Sequence, residues 1–107
     1  MNVILIYVLF PSKSEALNCA EILLQKKTIF CANLIEGVTS QYIWQNEIQK
    51  SDEVIQIFKT TGPKKEKVIR DIEKNHSYEA PAILEISSKS HNQKYSDWIS
   101  ELFLNKA

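Results

Sequence analysis

The 107-residue sequence is short of the two residues that loosen or break a backbone, with two glycines and three prolines. That leaves no room for a flexible linker, so the chain reads as a single domain over 1–107. An excess of either charge is missing too. Thirteen basic residues balance thirteen acidic ones, which argues against the positive surface that nucleic acid or an anionic membrane requires. Cysteine is scarce. Cys19 and Cys31 fall on different expected elements without CxxC spacing, and read as two reduced, buried thiols. No segment is long enough to span a bilayer, since the apolar run Val3 to Phe10 is too short. Met1-Asn2-Val3 enters that run without a basic leader, so a cytoplasmic location is expected. A P-loop, a GxSxG elbow and an HExxH helix are all absent.

What is present is organised around Cys31 to Thr61, CANLIEGVTSQYIWQNEIQKSDEVIQIFKTT. Two strands are expected here, joined at Gln45-Asn46, because Asn tolerates the left-handed backbone of a tight hairpin turn. Ile35, Val38, Thr39, Tyr42, Ile43 and Trp44 suit a pleated surface. Glu36-Gly37 interrupts the alternation and predicts a bulge. Val54 to Phe58 is apolar on both faces except at Gln56, as for a central strand covered above and below. Fifteen residues at about 3.3 Å each extend roughly 50 Å. A compact domain of about 100 residues is only roughly 34 Å across. The hairpin therefore overhangs, and its apolar tip predicts that another copy of the chain covers it.

The flanking chain supplies the layers. Val3 to Phe10 reads as a second central strand buried on both faces, ended by Pro11. Ser12-Lys13-Ser14-Glu15 has the form of a capping box that starts a helix. Ala16, Leu17, Ala20, Leu23 and Leu24 give that helix one buried stripe, and Lys26 and Lys27 sit in its last turn. Thr61-Gly62-Pro63 starts a second helix, with Val68, Ile69 and Ile72 inward and Lys64, Lys65, Lys67 and Arg70 outward. Asn75 closes it as a left-handed cap. A loop over His76 to Pro81, a short strand over Ala82 to Ser87, and a helix carrying Tyr95, Trp98, Ile99, Leu102 and Phe103 complete the chain. The order β-α-β-β-α-β-α predicts an α+β, ferredoxin-like βαββαβ sandwich with an extra C-terminal helix and a long protruding hairpin.

That fold hosts many functions, so activity has to come from residues. An RNA-recognition domain would need a basic, aromatic strand on the sheet, and none is present. A copper-chaperone type would need a CxxC pair. An acylphosphatase type would need an inward arginine, and Arg70, the single arginine, falls on a solvent face. What remains is His76, Tyr78 and Glu79 in the loop before strand four, with Lys59 ending strand three. An imidazole and a carboxylate three residues apart can share a metal ion, although a lone loop histidine is more often a surface residue. His91 reads as solvated. Tyr42 and Trp44 can stack a ligand or pack between subunits, and Tyr95 and Trp98 are core or interface residues.

In register, several of these stretches resemble the CutA divalent-cation tolerance family. They are Cys31-Ala32-Asn33-Leu34-Ile35, Gly37-Val38-Thr39-Ser40 with Tyr42 and Trp44, Lys59-Thr60, His76-Ser77-Tyr78-Glu79-Ala80-Pro81, and Tyr95-Ser96-Asp97-Trp98-Ile99. The resemblance implies a ferredoxin-like subunit assembled as a homotrimer through its long hairpin. It also implies binding of copper and other divalent cations, a role in cation tolerance, and no firmly attached catalysis. His76 and Cys31 match positions proposed as metal ligands, and Glu79 is the nearby carboxylate. An intersubunit cleft is expected from Tyr42, Trp44, Lys59, Tyr78 and Trp98. The chain departs from the family at Val8, Asn75 and Ala82, where some members carry cysteine, a second histidine and an acidic residue. Two alternatives stand beside a weak Cu(II) site. One is a small-ligand signalling module like the PII proteins, or an enzyme using Lys59, Tyr78 and Glu79 in the cleft. The other is a structural trimer that anchors a partner.

Overall fold

Alternation decides which face of each strand is covered, and the helices decide by what. The computed structural model of the protein describes residues 1–104. Its elements are β1 (Asn2–Phe10), α1 (Lys13–Gln25), β2 (Cys31–Trp44), β3 (Glu47–Thr60), α2 (Lys65–Lys74), β4 (Ile83–Lys89) and α3 (Gln93–Leu104). A single 3-10 turn, Gly62–Lys64, places Pro63 at the entry to α2. The strands form one antiparallel sheet in the order β2-β3-β1-β4. With α1 and α2 as crossovers this is the ferredoxin-like arrangement, and α3 is the additional helix.

Ile4, Ile6, Val8 and Phe10 of β1 pair across to Thr60, Phe58, Gln56 and Val54 of β3, and this face packs under α1 and α2. Ala16, Cys19, Leu23, Val68 and Ile72 close the core from above. The opposite face is covered at one end only. There Ile99 of α3 meets Val3 and Phe30, with Leu5, Cys31, Leu102 and Phe103 around them. Farther along, Leu84 beside Tyr7 is 56% exposed, and Ile35 beside Ile55 is exposed as well. The two central strands are thus where the sequence placed them, but they are not covered on both faces. An apolar run records that a strand is buried, not how many layers of its own chain bury it.

Helix ends carry smaller corrections. Ser12 caps α1, its Oγ accepting the Glu15 N–H at 3.2 Å, but Glu15 does not reach back to complete the box. Leu17 and Leu24 are exposed rather than part of the buried stripe, and Cys19 takes a core position. The helix ends at Gln25, so Lys26 and Lys27 lie past it; Lys27 adopts φ 58 while Thr28 and Lys27 donate to Leu23 O and Leu24 O. This is a Schellman closure. Asn75 is not left-handed (φ −106), and instead its Nδ2 donates to Asp71 O at 2.8 Å.

The hairpin turns at Gln45 (φ 50) and Asn46 (φ 65), the two left-handed positions of a type I′ turn. Register shifts between Ile35 and Val38, where Glu36 and Gly37 (φ 74) form the bulge. β1 stops at the Phe10–Val54 pair, and seven pairs from Val38–Glu53 to Trp44–Glu47 continue beyond it. At about 3.4 Å per residue the overhang is roughly 23 Å. It stretches the molecule to 48 × 27 × 22 Å, with a radius of gyration of 15.0 Å against about 13 Å for a compact chain of this length. Ile43 and Ile48 pair at the tip and are 75% and 79% exposed.

The bulge gives a test with an internal control. Neither Gly37 nor Gly62 has a neighbour within 4 Å of a built Cβ, and only Gly37 has a positive φ. Gly37→Ala should cost about 1–2 kcal/mol from backbone strain alone. Gly62→Ala, in an ordinary conformation, should be neutral or stabilising by about 0.4–1 kcal/mol. Urea unfolding of both variants at one protein concentration checks the difference; equal effects would mean the bulge does not need its glycine.

Candidate functional site

The last pair between β1 and β4 is Val8–Ile83, one residue short of Leu9. His76 takes the place that a longer β4 would fill. Its Nε2 donates to Leu9 O at 2.7 Å, and its Nδ1 accepts the Tyr78 N–H at 3.0 Å. A carbonyl at one nitrogen and an N–H at the other assign the neutral Nε2–H tautomer. The ring stacks on Phe10 at 4.4 Å and 17°, and its side chain has no exposed surface. Next along, the Ser77 N–H donates to Glu15 Oε2 at 2.9 Å, an oxygen 3.7 Å from His76 Nδ1. Glu15 therefore leaves its own helix start unboxed in order to hold this loop.

So anchored, the loop aims Tyr78 past the end of β1 to β3, where its hydroxyl donates to Glu53 Oε2 at 2.8 Å. Burial, and then the hydrogen bond to Glu53 and its charge, hold the Tyr78 phenol well above its ordinary range. A phenol so raised stabilises the fold fully below a pH of about 10 and loses that contribution as pH climbs through the raised value. The loop and the overhanging hairpin enclose an open cleft of about 600 Å³. Tyr42 and Trp44 of β2 form one wall, and Tyr78 and Glu79 the other, with Glu53 between them. Tyr42 is held in place by a 2.7 Å hydrogen bond between its hydroxyl and Ser51 Oγ. Among the described residues, no lysine, arginine or histidine lines this space.

The expected site residues divide into two groups. Tyr42, Trp44, Tyr78 and Glu79 meet at the cleft, with His76 behind them as the anchor of the loop. Lys59, Cys31 and Trp98 lie toward the other end of the sheet. Lys59 pairs with Cys31 and Leu5, six residues down β3 from Glu53, or roughly 20 Å away. Trp98 sits edge-on to Phe30 at 5.9 Å and stacks with Tyr95 at 5.8 Å.

A metal centre from His76, Cys31 and Glu79 is therefore not assembled within one chain. Both imidazole nitrogens are occupied, Cys31 is half-buried near α3, and Glu79 is exposed at the cleft. Among the described residues no three His, Cys, Asp or Glu stand where they would hold a metal ion. Val8 is a fully buried core residue. Cys19 is inert, its thiol pushed up to about 12 by burial first and then by Glu15 and Asp71.

Glu53 and Glu15 are the participants the sequence reading missed. Glu53 had a signal, since it is a carboxylate on the same strand face as Ile55 and Ile57. Glu15 had none beyond its place in the capping box.

An anchoring role for His76 predicts a stability phenotype. His76→Ala removes a stacked ring and strands the Leu9 carbonyl and the Tyr78 N–H, which should cost about 3 kcal/mol or more. Glu79→Ala, at an exposed position, should cost under about 0.5 kcal/mol. Urea denaturation separates them. A His76→Ala protein as stable as the parent, weakened only in metal affinity, would make the ring a ligand rather than an anchor.

The geometry has counterparts among known proteins. The family model described as CutA1 divalent ion tolerance protein matches residues 4–102. The divalent-cation tolerance protein CutA of Thermotoga maritima is 37% identical over 94% of this chain and 99% of its own length. Among solved structures, the CutA1 divalent ion tolerance protein from Ehrlichia chaffeensis superposes with a TM-score of 0.88 at 34% identity, covering 94% of each chain. The periplasmic divalent cation tolerance protein CutA from Archaeoglobus fulgidus does so with a TM-score of 0.88 at 32% identity, over 95% of this chain and 98% of that one. Shared fold and sequence across nearly the whole chain place this protein in one family: it belongs to the CutA1 divalent ion tolerance proteins.

Proposed function

We propose that the protein serves divalent-cation tolerance as a non-catalytic homotrimer that binds a divalent cation, Cu(II) foremost, at the anionic cleft beneath its hairpin. The observation that carries this reading is the cleft itself, which holds the Glu53 and Glu79 carboxylates and no cationic side chain among the described residues. Assembly is supported by the overhang. A hairpin tip that covers a different surface on the next copy makes a heterologous contact, and such contacts form a ring where the rotation between copies closes. The exposed strip of Ile35, Leu84 and Ile86 on the sheet is a surface of suitable character for that contact. Three copies is the number implied by the likeness to the CutA family.

Oxygen donors from Glu53 and Glu79 are few, so one chain alone holds a metal weakly, and a neighbouring copy supplies what is lacking. Cu(II) heads the affinity order of the divalent first-row metals for a given oxygen and nitrogen site. No described helix is long and apolar enough to cross a membrane. Two unpaired cysteines, Cys19 and Cys31, support a reducing compartment, and the cytoplasm is the one we propose.

Light scattering at micromolar concentration should give about three times the 12.3 kDa chain mass. Calorimetric titration with Cu(II) should show weak binding that falls several-fold in Glu79→Gln and persists in Cys31→Ser. A monomer, or Cu(II) binding lost only in Cys31→Ser, would overturn the proposal.

A further inference from the structure

The walls of the cleft say more than its charge does. A bare metal ion needs several oxygen or nitrogen donors converging at about 2 Å, and the described residues offer no such cluster. What they offer is a space of about 600 Å³, the size of an organic-ligand site. Three aromatic rings face it, Tyr42, Trp44 and Tyr78, and two carboxylates share it, Glu53 and Glu79. Tyr42 and Tyr78 have their hydroxyls committed, to Ser51 and to Glu53. They meet a ligand with ring surface rather than with a hydrogen-bonding group. An aromatic face carries negative charge density and attracts a cation within about 6 Å of its centroid. Carboxylates beside the rings reinforce that attraction, and they repel phosphates and carboxylic acids.

Resting on the reading of the cleft as a cation site, we propose that its ligand class is a small alkylated ammonium ion. Methyl or methylene groups on the nitrogen pack against Tyr42, Trp44 and Tyr78, and the positive charge is balanced by Glu79 and Glu53. Such an ion is weakly hydrated and asks for no coordination geometry, which suits walls built from rings. A nucleotide or other phosphate ligand is disfavoured by the same two carboxylates.

The test uses tetramethylammonium and its uncharged isostere tert-butanol, each titrated into the full chain at constant ionic strength. The readout is the Trp44 indole N–H resonance in NMR, assigned with Trp44→Phe. Tetramethylammonium should shift that resonance saturably, and tert-butanol should not. Affinity should fall roughly tenfold in Glu79→Gln and in Tyr42→Leu, and survive in Tyr42→Phe, which keeps the ring. Cu(II) titrated in parallel distinguishes the two readings. Ammonium binding without Cu(II) binding supports this inference and overturns the metal role. Cu(II) binding with no saturable ammonium shift overturns the inference and leaves the metal role standing. An equal response to tert-butanol would also sink it, because the cleft would then be reading shape and not charge.

Discussion

Seven strand pairs carried beyond the end of a sheet are an energetic problem that this chain has to solve. A two-stranded hairpin is marginal in water on its own, and here residues 41–50 are all exposed. Local chemistry contributes what it can. The Gln45-Asn46 turn matches the strand twist, the Gly37 bulge sharpens it, and Tyr42 ties across to Ser51. Alternation then gives the two faces of the overhang separate duties. Ile43 and Ile48 point to one side, where they make an apolar tip. Tyr42 and Trp44 point to the other, continuing the open face of the sheet and walling the cleft. The same overhang can thus engage a neighbour and build a site.

The second half of the site depends on β4 being short. Because β4 begins opposite Val8, the end of β1 is left with an unmatched edge, and His76 satisfies it with a side chain instead of a strand. That substitution frees the loop from 77 to 82 to bend toward the hairpin and not lie flat in the sheet. Tyr78 is aimed by its own N–H bond to the imidazole and fixed at its far end by Glu53. A histidine with both nitrogens occupied by the backbone acts as a structural pin. In the proposed reading, the ligand-facing chemistry belongs to the residues that it positions.

Much of this was legible beforehand, and the failures have physical causes. Apolar runs located β1 and β3 at the centre of the sheet, and Gln45-Asn46 and Glu36-Gly37 located turn and bulge to the residue. Those signals are local, set by backbone sterics and period. Residue type says less where a role depends on a long-range partner. His76 reads as a ligand by type, yet its partners Leu9 and Phe10 are 66 or more positions away in the chain. Cys31 and His76 look like a pair until strand register puts them toward opposite ends of the sheet. Leu17 and Leu24 fit a helical stripe but fall outside the arc that the sheet covers. Glu53 entered only when the fold brought Tyr78 to it.

The central claim is that a second copy of the chain covers the hairpin, and amide hydrogen exchange tests it most directly. Within an isolated β2–β3 ribbon, alternate N–H groups bond across the pair and the rest face outward to solvent. In the proposed trimer, some of those outward amides between residues 38 and 53 are shielded by the neighbouring copy. They should then exchange as slowly as amides of β1 at micromolar concentration, and faster on dilution below the assembly range. Outward amides that exchange at solvent rates at every concentration, while β1 stays protected, would contradict the assembly and leave the overhang bare.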